Sequence, residues 1–249
     1  MRLTVLGSAA SYPDAGRACA GHLVQTSSTA VLLDCGSGVL SNLGYVMAPT
    51  HLDAVLVSHG HVDHFADVFA LQAALRYAPT GPVPPIPLWL PSGLRLRMEA
   101  LLGERGAREL AEAFEMRTLE VNVPVVAGDV TVVPHPADHV DPAFSFVVEA
   151  GDARVCYTSD TAYGPAVETA ARGAQVLLAE ATLPVEYAGR APHMTPAEAG
   201  ALASVSGAHT LVLTHLWPTI DRDEAGRQAR GAFGGRVIVA DELTALDID

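Results

Sequence analysis

The chain of 249 residues carries 15 basic and 28 acidic side chains, a formal net charge of −13, and every basic residue is arginine. That charge repels nucleic-acid phosphates at long range, so extended RNA or DNA is not an expected partner. A hydrophobic content of 49% suffices for a sizeable core and no Ser/Gly-rich or Pro-rich linker divides the sequence, so the reading is one domain over residues 1–249.

The opening MRLTVLGSAASYP has one arginine and an apolar run far shorter than that of a secretory signal, and no later segment has the ~20 apolar residues that span a bilayer. A cytoplasmic protein without a membrane partner is expected. Cys19, Cys35 and Cys156 are odd in number, widely spaced and set in or beside apolar runs, which predicts buried free thiols and no Cys-x-x-Cys metal or redox pair.

In chain order, short apolar and β-branched runs bounded by Gly, Asp or Pro predict strands at Leu3–Leu6, His22–Thr26, Ala30–Leu33, Ala54–Val57, Ile86–Leu90, Val130–Val133, Phe144–Glu149, Arg154–Tyr157, Val176–Ala179, Thr210–Leu213 and Arg236–Val239. Helical periodicity appears at Phe65–Tyr77, Leu94–Leu102, Ala166–Ala171, Pro196–Ser204 and Asp223–Phe233. Pro79–Pro91, with six prolines, reads as an irregular connection into an edge strand. This order of elements suits two mixed sheets packed face to face with helices outside, an α/β architecture.

The densest chemistry lies in SHGHVDHFAD, directly after the run Ala54–Val57. In an extended turn His59 and His61 project to one side, whereas Asp63 and His64, at the mouth of the following helix, point to a second position. One loop can therefore serve two metals. Farther on, His139, Asp160 and His215 each follow the end of a predicted strand, where side chains converge on one edge of a sheet stack. Any one of them alone would read as an ordinary loop residue; beside the opening motif they read as the remainder of a ligand set.

These residues resemble the metallo-β-lactamase fold, with HGHVDH as its first metal motif and the likeness covering nearly the whole chain. LGSAASYP and VLLDCGSG resemble the family's first strand-loop and its Asp-x-Gly turn, which sets Asp34 near the metal loop. The resemblance implies an αββα sandwich with a dinuclear site: His59, His61 and His139 on one metal, Asp63, His64 and His215 on the other, and Asp160 bridging both. It implies two divalent ions, with zinc first and Mn2+ or Fe2+ also compatible with His/Asp ligands, and it implies dimers.

Glu180 in LLAEATL and His193 in APHMTPAEAG resemble the Glu-Ala-Thr and His-x-Thr motifs of the tRNase Z-like phosphodiesterase branch. There a carboxylate-held histidine assists the leaving group. Thr195, Pro196 and Glu198 predict a capping box that starts a helix just after His193, placing it beside helix-end N–H groups that favour a phosphate oxygen. The tRNase Z-type arm that grips tRNA lies between the ligands corresponding to His139 and Asp160, but here Val140–Ser159 has room for one hairpin and no arm. With the acidic charge, this points to a small phosphodiester. The motif order also resembles bacterial cyclic-nucleotide phosphodiesterases of the same branch.

The expected activity is hydrolysis of a small or cyclic nucleotide, in which Asp63 orients the attacking water and His193, polarised by Glu180, protonates the departing alkoxide. A tRNA 3'-end endonuclease is the alternative, followed by a thioesterase or lactonase on the same scaffold. Arg17 is a weaker candidate for a phosphate contact, and Tyr163 and Trp217, which follow ligand positions, are candidates for stacking on a base. His135 and Asp138 are candidates for orienting His139, whereas His22, His51 and His209 read as structural.

Overall fold

The computed structural model describes residues 1–79 and 81–249. Thr80, inside the proline-rich connection, lies outside them. One sheet holds β1 (Arg2–Gly7), β2 (Gly21–Gln25), β3 (Ala30–Leu33), β4 (Ala54–Leu56), β5 (Ile86–Leu90) and β6 (Phe114–Thr118). The other holds β7 (Val125–Ala127), β8 (Val130–Pro136), β9 (Phe144–Ala150), β10 (Ala153–Tyr157), β11 (Val176–Glu180), β12 (Thr210–Thr214) and β13 (Arg236–Val239). The final strand β14 (Ala245–Asp247) returns to the first sheet, so the spatial orders are 14-1-2-3-4-5-6 and 13-12-11-10-9-8-7. Both sheets are mixed, antiparallel at one side and parallel from β3 to β6 and from β10 to β13.

Period-two alternation explains the layering. Val31, Leu33, Leu56, Leu178 and Val212 face the cluster between the sheets, together with Phe146 and Tyr157. Their neighbours Leu32 and Val55 turn outward onto a second cluster with α1 (Val39–Leu43), α2 (Val68–Tyr77) and α3 (Leu94–Ala113). Leu177, Leu211 and Leu213 turn outward onto a third, with α4 (Pro165–Ala171), α5 (Pro196–Ser206) and α6 (Arg222–Ala232). The result is the αββα sandwich.

Each predicted strand and helix is present, and the departures have local causes. The proline-rich connection leads into β5, which is an interior strand and not the predicted edge. Pairing with β4 starts at Leu88, so Pro87 precedes that ladder and its missing N–H falls outside it. The edge is β6, where charged Glu115 and Arg117 alternate with Met116 and blur the apolar signal. α3 runs past Leu102 to Ala113 across a kink at Gly103, whose φ of 66° interrupts the helical geometry.

Candidate metal centre

β10, β11 and β12 are parallel, and β8 runs the same way because it is antiparallel to β9, itself antiparallel to β10. Their carboxyl ends therefore share one edge, and the residues just beyond them are His139, Asp160, Thr182 and His215. Open α/β sheets collect ligands at this kind of edge. The loop after β4 joins them from the other sheet, closing with a 3-10 turn at Val62–His64 that puts Asp63 and His64 opposite His59 and His61. Asp34, Ser159 and His215, all non-glycine, adopt left-handed φ values of 59°, 51° and 51° around this edge. Such backbone is costly and persists where surrounding contacts over-determine it.

The predicted ligands converge in two groups. His59, His61, His139 and Asp160 present donor atoms within 4.8 Å of one another, as do Asp63, His64 and His215. His61 Nδ1 lies 3.1 Å from both His59 Nε2 and His139 Nε2. In a tetrahedral zinc site with Zn–N bonds of 2.0–2.1 Å, nitrogens stand about 3.3 Å apart, so this spacing fits a shared cation. Asp160 spans the groups: Oδ2 lies 3.7 Å from both His59 and His139, and Oδ1 lies 3.4 Å from His64 Nε2. Asp160 is buried and its Oδ1 has no hydrogen-bond donor. A buried carboxylate oxygen without a partner is costly, and a bridging cation would satisfy it.

Supporting contacts fix the rings. Asp34, fully buried, accepts hydrogen bonds from the Ser58 backbone N–H at 2.7 Å and, on Oδ2, from Ser58 Oγ and Tyr157 Oη at 2.8 Å each. The same Oδ2 stands 2.8 Å from His64 Nδ1, which leaves His64 Nε2 aimed at the site in the carboxylate–histidine arrangement of metal centres. Thr182 Oγ1 holds His215 Nδ1 at 2.8 Å, and the Pro192 carbonyl faces His139 Nδ1 at 3.0 Å. The Ser11 backbone N–H donates to Asp63 Oδ2 at 2.7 Å.

Charge follows this geometry. Burial, reinforced by His64, pushes His59 well below the ordinary imidazole range. Burial opposes charging of His64 too, yet the Asp160 and Asp34 carboxylates hold it well above that range. Burial raises the Asp160 carboxyl, but His215 and His64 outweigh it and keep the group well below the usual carboxylate range. Asp63 is likewise shifted down by its hydrogen bond to His215 and by His64, against burial.

Beside this cluster, His193 Nδ1 lies 2.9 Å from Glu180 Oε1. Glu180 is fully buried and also accepts from the N–H groups of Thr161 at 2.8 Å and Thr182 at 3.2 Å, which fixes it as an acceptor. Burial lowers His193, but the Glu180 hydrogen bond and charge raise it above the ordinary value overall. The capping box forms as predicted, with Thr195 Oγ1 accepting from Glu198 N and Glu198 accepting from Thr195 N. It takes up part of the helix end: Pro196 has no N–H, and those of Glu198 and Ala199 bond Thr195.

Arg17 ion-pairs with Asp241 at 3.3 Å. One expectation changes. The partner of His139 is the Pro192 carbonyl, not His135 or Asp138; the latter's backbone bonds Thr161 and Ala162 instead. The sequence reading missed Ser58, Tyr157, Thr182 and Arg97. Tyr157 was traceable in principle, since a tyrosine ending a buried strand needs a partner for its hydroxyl. Arg97, on the first turn of α3, is exposed and covers Gly60 between His59 and His61: a Cβ on Gly60 would lie 3.1 Å from both its terminal nitrogens. The three cysteines are free and buried as expected, and burial pushes the Cys156 thiol up to about 12.

The family model described as "Beta-lactamase superfamily domain" matches residues 29–216. The chain belongs to this superfamily. Its similarity extends to the probable metallo-hydrolase YhfI of Bacillus subtilis (strain 168), 32% identical over 96% of this chain and 97% of the relative. The crystal structure of that metallo-β-lactamase-fold protein superposes with a TM-score of 0.88 at 28% identity, covering 98% of each chain. Ribonuclease Z of Mycobacterium bovis is 30% identical over 100% of this chain and 98% of its own. The short form of human tRNase Z shares the fold at 22% identity and a TM-score of 0.76, covering 100% of each chain. Within the metallo-β-lactamase fold the protein thus lies in the tRNase Z-like branch, among metallo-hydrolases. Among the described residues, no helix is long and apolar enough to cross a membrane.

Proposed function

We propose that this member of the metallo-β-lactamase superfamily is a phosphodiesterase acting on a small or cyclic nucleotide through two divalent ions, zinc first. The observation that carries this reading is the Glu180–His193 pair standing against the ligand cluster, with His193 Nδ1 4.0 Å from Asp160 Oδ2. A purely structural metal site has no use for an anchored, proton-bearing imidazole at its rim. His59, His61, His139 and Asp160 would hold one ion and Asp63, His64 and His215 the other, with Asp160 between them. Ions bound there supply an activated water at neutral pH and neutralise charge on the phosphoryl oxygens.

The chain's own residues do the rest. Asp63, held by the Ser11 N–H, orients the attacking water on the side facing His215. Glu180 keeps Nδ1 of His193 protonated and leaves Nε2 to deliver a proton to the departing alkoxide. Arg97 adds a positive group to the rim above Gly60, where it meets an anionic phosphodiester. A net charge of −13 and the absence of lysine favour a small substrate over an extended polynucleotide.

The segment between His139 and Asp160 supports the same choice. It consists of β9 and β10 joined by the tight turn at Gly151 and Asp152, with Ala150 paired to Ala153. A tRNA-gripping arm has no place in it. The match to ribonuclease Z runs over 279 positions against the 249 residues of this chain, so that relative carries segments this one lacks. A tRNA 3'-end endonuclease is nevertheless the second reading, favoured by the 30% identity to ribonuclease Z along the whole chain. Thioester or lactone hydrolysis ranks third, because neither requires the Glu180–His193 pair.

The deciding experiment offers the metal-loaded protein cyclic AMP, bis(p-nitrophenyl) phosphate, a precursor tRNA, and thioester and lactone substrates, with and without chelator. Chelator-sensitive cleavage of the small diesters with the tRNA left intact is expected. Cleavage of tRNA alone would establish the second reading, and activity confined to the thioester or lactone the third.

A further inference from the structure

We infer that the metal centre has a neighbouring subsite for a flat aromatic ring, the nucleobase of the substrate, formed by Trp217 and Tyr187. A pocket of about 330 Å³ is lined by Leu183, Pro184, Tyr187, Trp217 and Thr219. That volume falls at the lower end of small-molecule sites, about 300–1,000 Å³. Four of its five lining side chains are apolar or aromatic, two of the five (Tyr187 and Thr219) offer a hydroxyl, and none is charged. Trp217 and Tyr187 stay 40% and 46% exposed, more than rings of this size need to be when their role is core packing.

The walls are continuous with the proposed catalytic groups. Leu183 follows Thr182, whose hydroxyl holds His215 Nδ1 at 2.8 Å, and the Leu183 N–H donates to the Met194 carbonyl at 3.0 Å, next to His193. Trp217 follows His215 with only Leu216 between, and its carbonyl accepts from the Ile220 N–H at 2.9 Å, which closes the loop carrying Thr219. The two loops leaving β11 and β12 thus hold His215 and His193 at one end and the pocket at the other. Arg190 lies over the Tyr187 ring with its guanidinium carbon 5.4 Å from the centroid, bracing that wall from one side.

A ring stacked on Trp217 would place the attached sugar phosphate toward His193 and His215. Stacking accepts any base, because every base has a π-face. The subsite therefore selects for nucleotides over phosphodiesters without a ring, and it distinguishes base from no base more than one base from another. This inference rests on the nucleotide reading above, but its test does not depend on turnover.

The test measures binding of AMP and of ribose 5-phosphate, which share the sugar phosphate and differ in the base, to the purified metal-loaded protein by calorimetry. The wild-type protein is expected to prefer AMP by about ten-fold, the scale of one base–aromatic stack. Trp217→Ala should abolish most of that preference and Trp217→Phe should restore most of it; an unpreserved fold would weaken both ligands together instead. Equal binding of the two ligands by the wild type, binding of neither, or a preference that survives in Trp217→Ala would overturn the subsite. A dimer that dissociates on Trp217→Ala without any preference for AMP would overturn it in favour of a second copy of this chain on the same patch. Persistent AMP preference in a protein that cleaves no phosphodiester would retain the subsite while rejecting the proposed reaction.

Discussion

His193 Nδ1 and Glu180 Oε1 stand 2.9 Å apart, with Glu180 fixed from behind by the backbone N–H groups of Thr161 and Thr182. Burial alone would lower the imidazole, and Glu180 reverses that, so the proton needed for a general acid is retained to a higher pH. In the proposed reaction the acid form is the active one, hence kcat should fall as pH rises through the raised folded-state value. The contribution of this pair to stability has the same sign: present below the ordinary histidine value and lost as pH rises through the folded one. Glu180→Gln removes the carboxylate charge, and pH–rate profiles of the two proteins should show the alkaline limb displaced to lower pH in the variant.

Loss of the proton donor should depend on the leaving group. A nucleoside alkoxide needs protonation, whereas p-nitrophenolate departs without it. His193→Ala is expected to lower kcat for cyclic AMP by about 100- to 10,000-fold and to slow bis(p-nitrophenyl) phosphate far less, with metal content retained. Steady-state kinetics on both substrates, alongside elemental analysis, check this.

Asp34 touches no metal-facing nitrogen itself, yet it holds His64, Ser58 and Tyr157 together. Asp34→Ala frees the His64 ring and leaves the buried Tyr157 hydroxyl unpaired. Affinity for the ion at the Asp63–His64–His215 position should drop by about 10- to 100-fold. Competition with a zinc chelator measures it, and an unchanged affinity would remove Asp34 from the centre.

Gly36 is needed for close approach. A Cβ there would sit 1.9 Å from the Asp63 carbonyl oxygen and 2.8 Å from Cys19 Cβ, so Gly36→Ala must push the ligand loop away. A loss of about 1–3 kcal/mol is expected from such overpacking, visible as a lower melting temperature together with reduced metal occupancy.

Arg97 approaches Gly60 from α3 with its exposed end, so its removal should cost binding and not chemistry. Arg97→Ala is expected to raise KM for an anionic diester by about five-fold, the range of a single exposed charge contact, with kcat retained and a weaker dependence on ionic strength. Kinetics at low and moderate salt check both parts.

The candidate ligands were legible in the sequence because a metal site demands fixed side chains at fixed spacing: HGHVDH sits on one loop, and His139, Asp160 and His215 each follow a strand whose apolar run is visible. The Glu180 and His193 pairing was legible only through family resemblance, since thirteen positions separate them along the chain. Asp34 was placed near the loop, but its contact with Tyr157 crosses from one sheet to the other, and no local pattern encodes such a contact. Ser58 and Thr182 are ordinary polar residues until the fold brings histidines to them. β6 escaped because an edge strand alternates apolar with charged residues, and the position of β5 escaped because six prolines resemble an edge more than an interior strand. Arg97 was hidden in a helical pattern whose exposed face carries several arginines.

The most direct test of the dinuclear hydrolase is turnover of bis(p-nitrophenyl) phosphate by metal-free protein titrated with zinc. With Asp160 joining two donor groups, activity should climb steeply and level off at two equivalents per chain, and Asp160→Ala should give none. A plateau at one equivalent, or no turnover at any loading, would contradict the account.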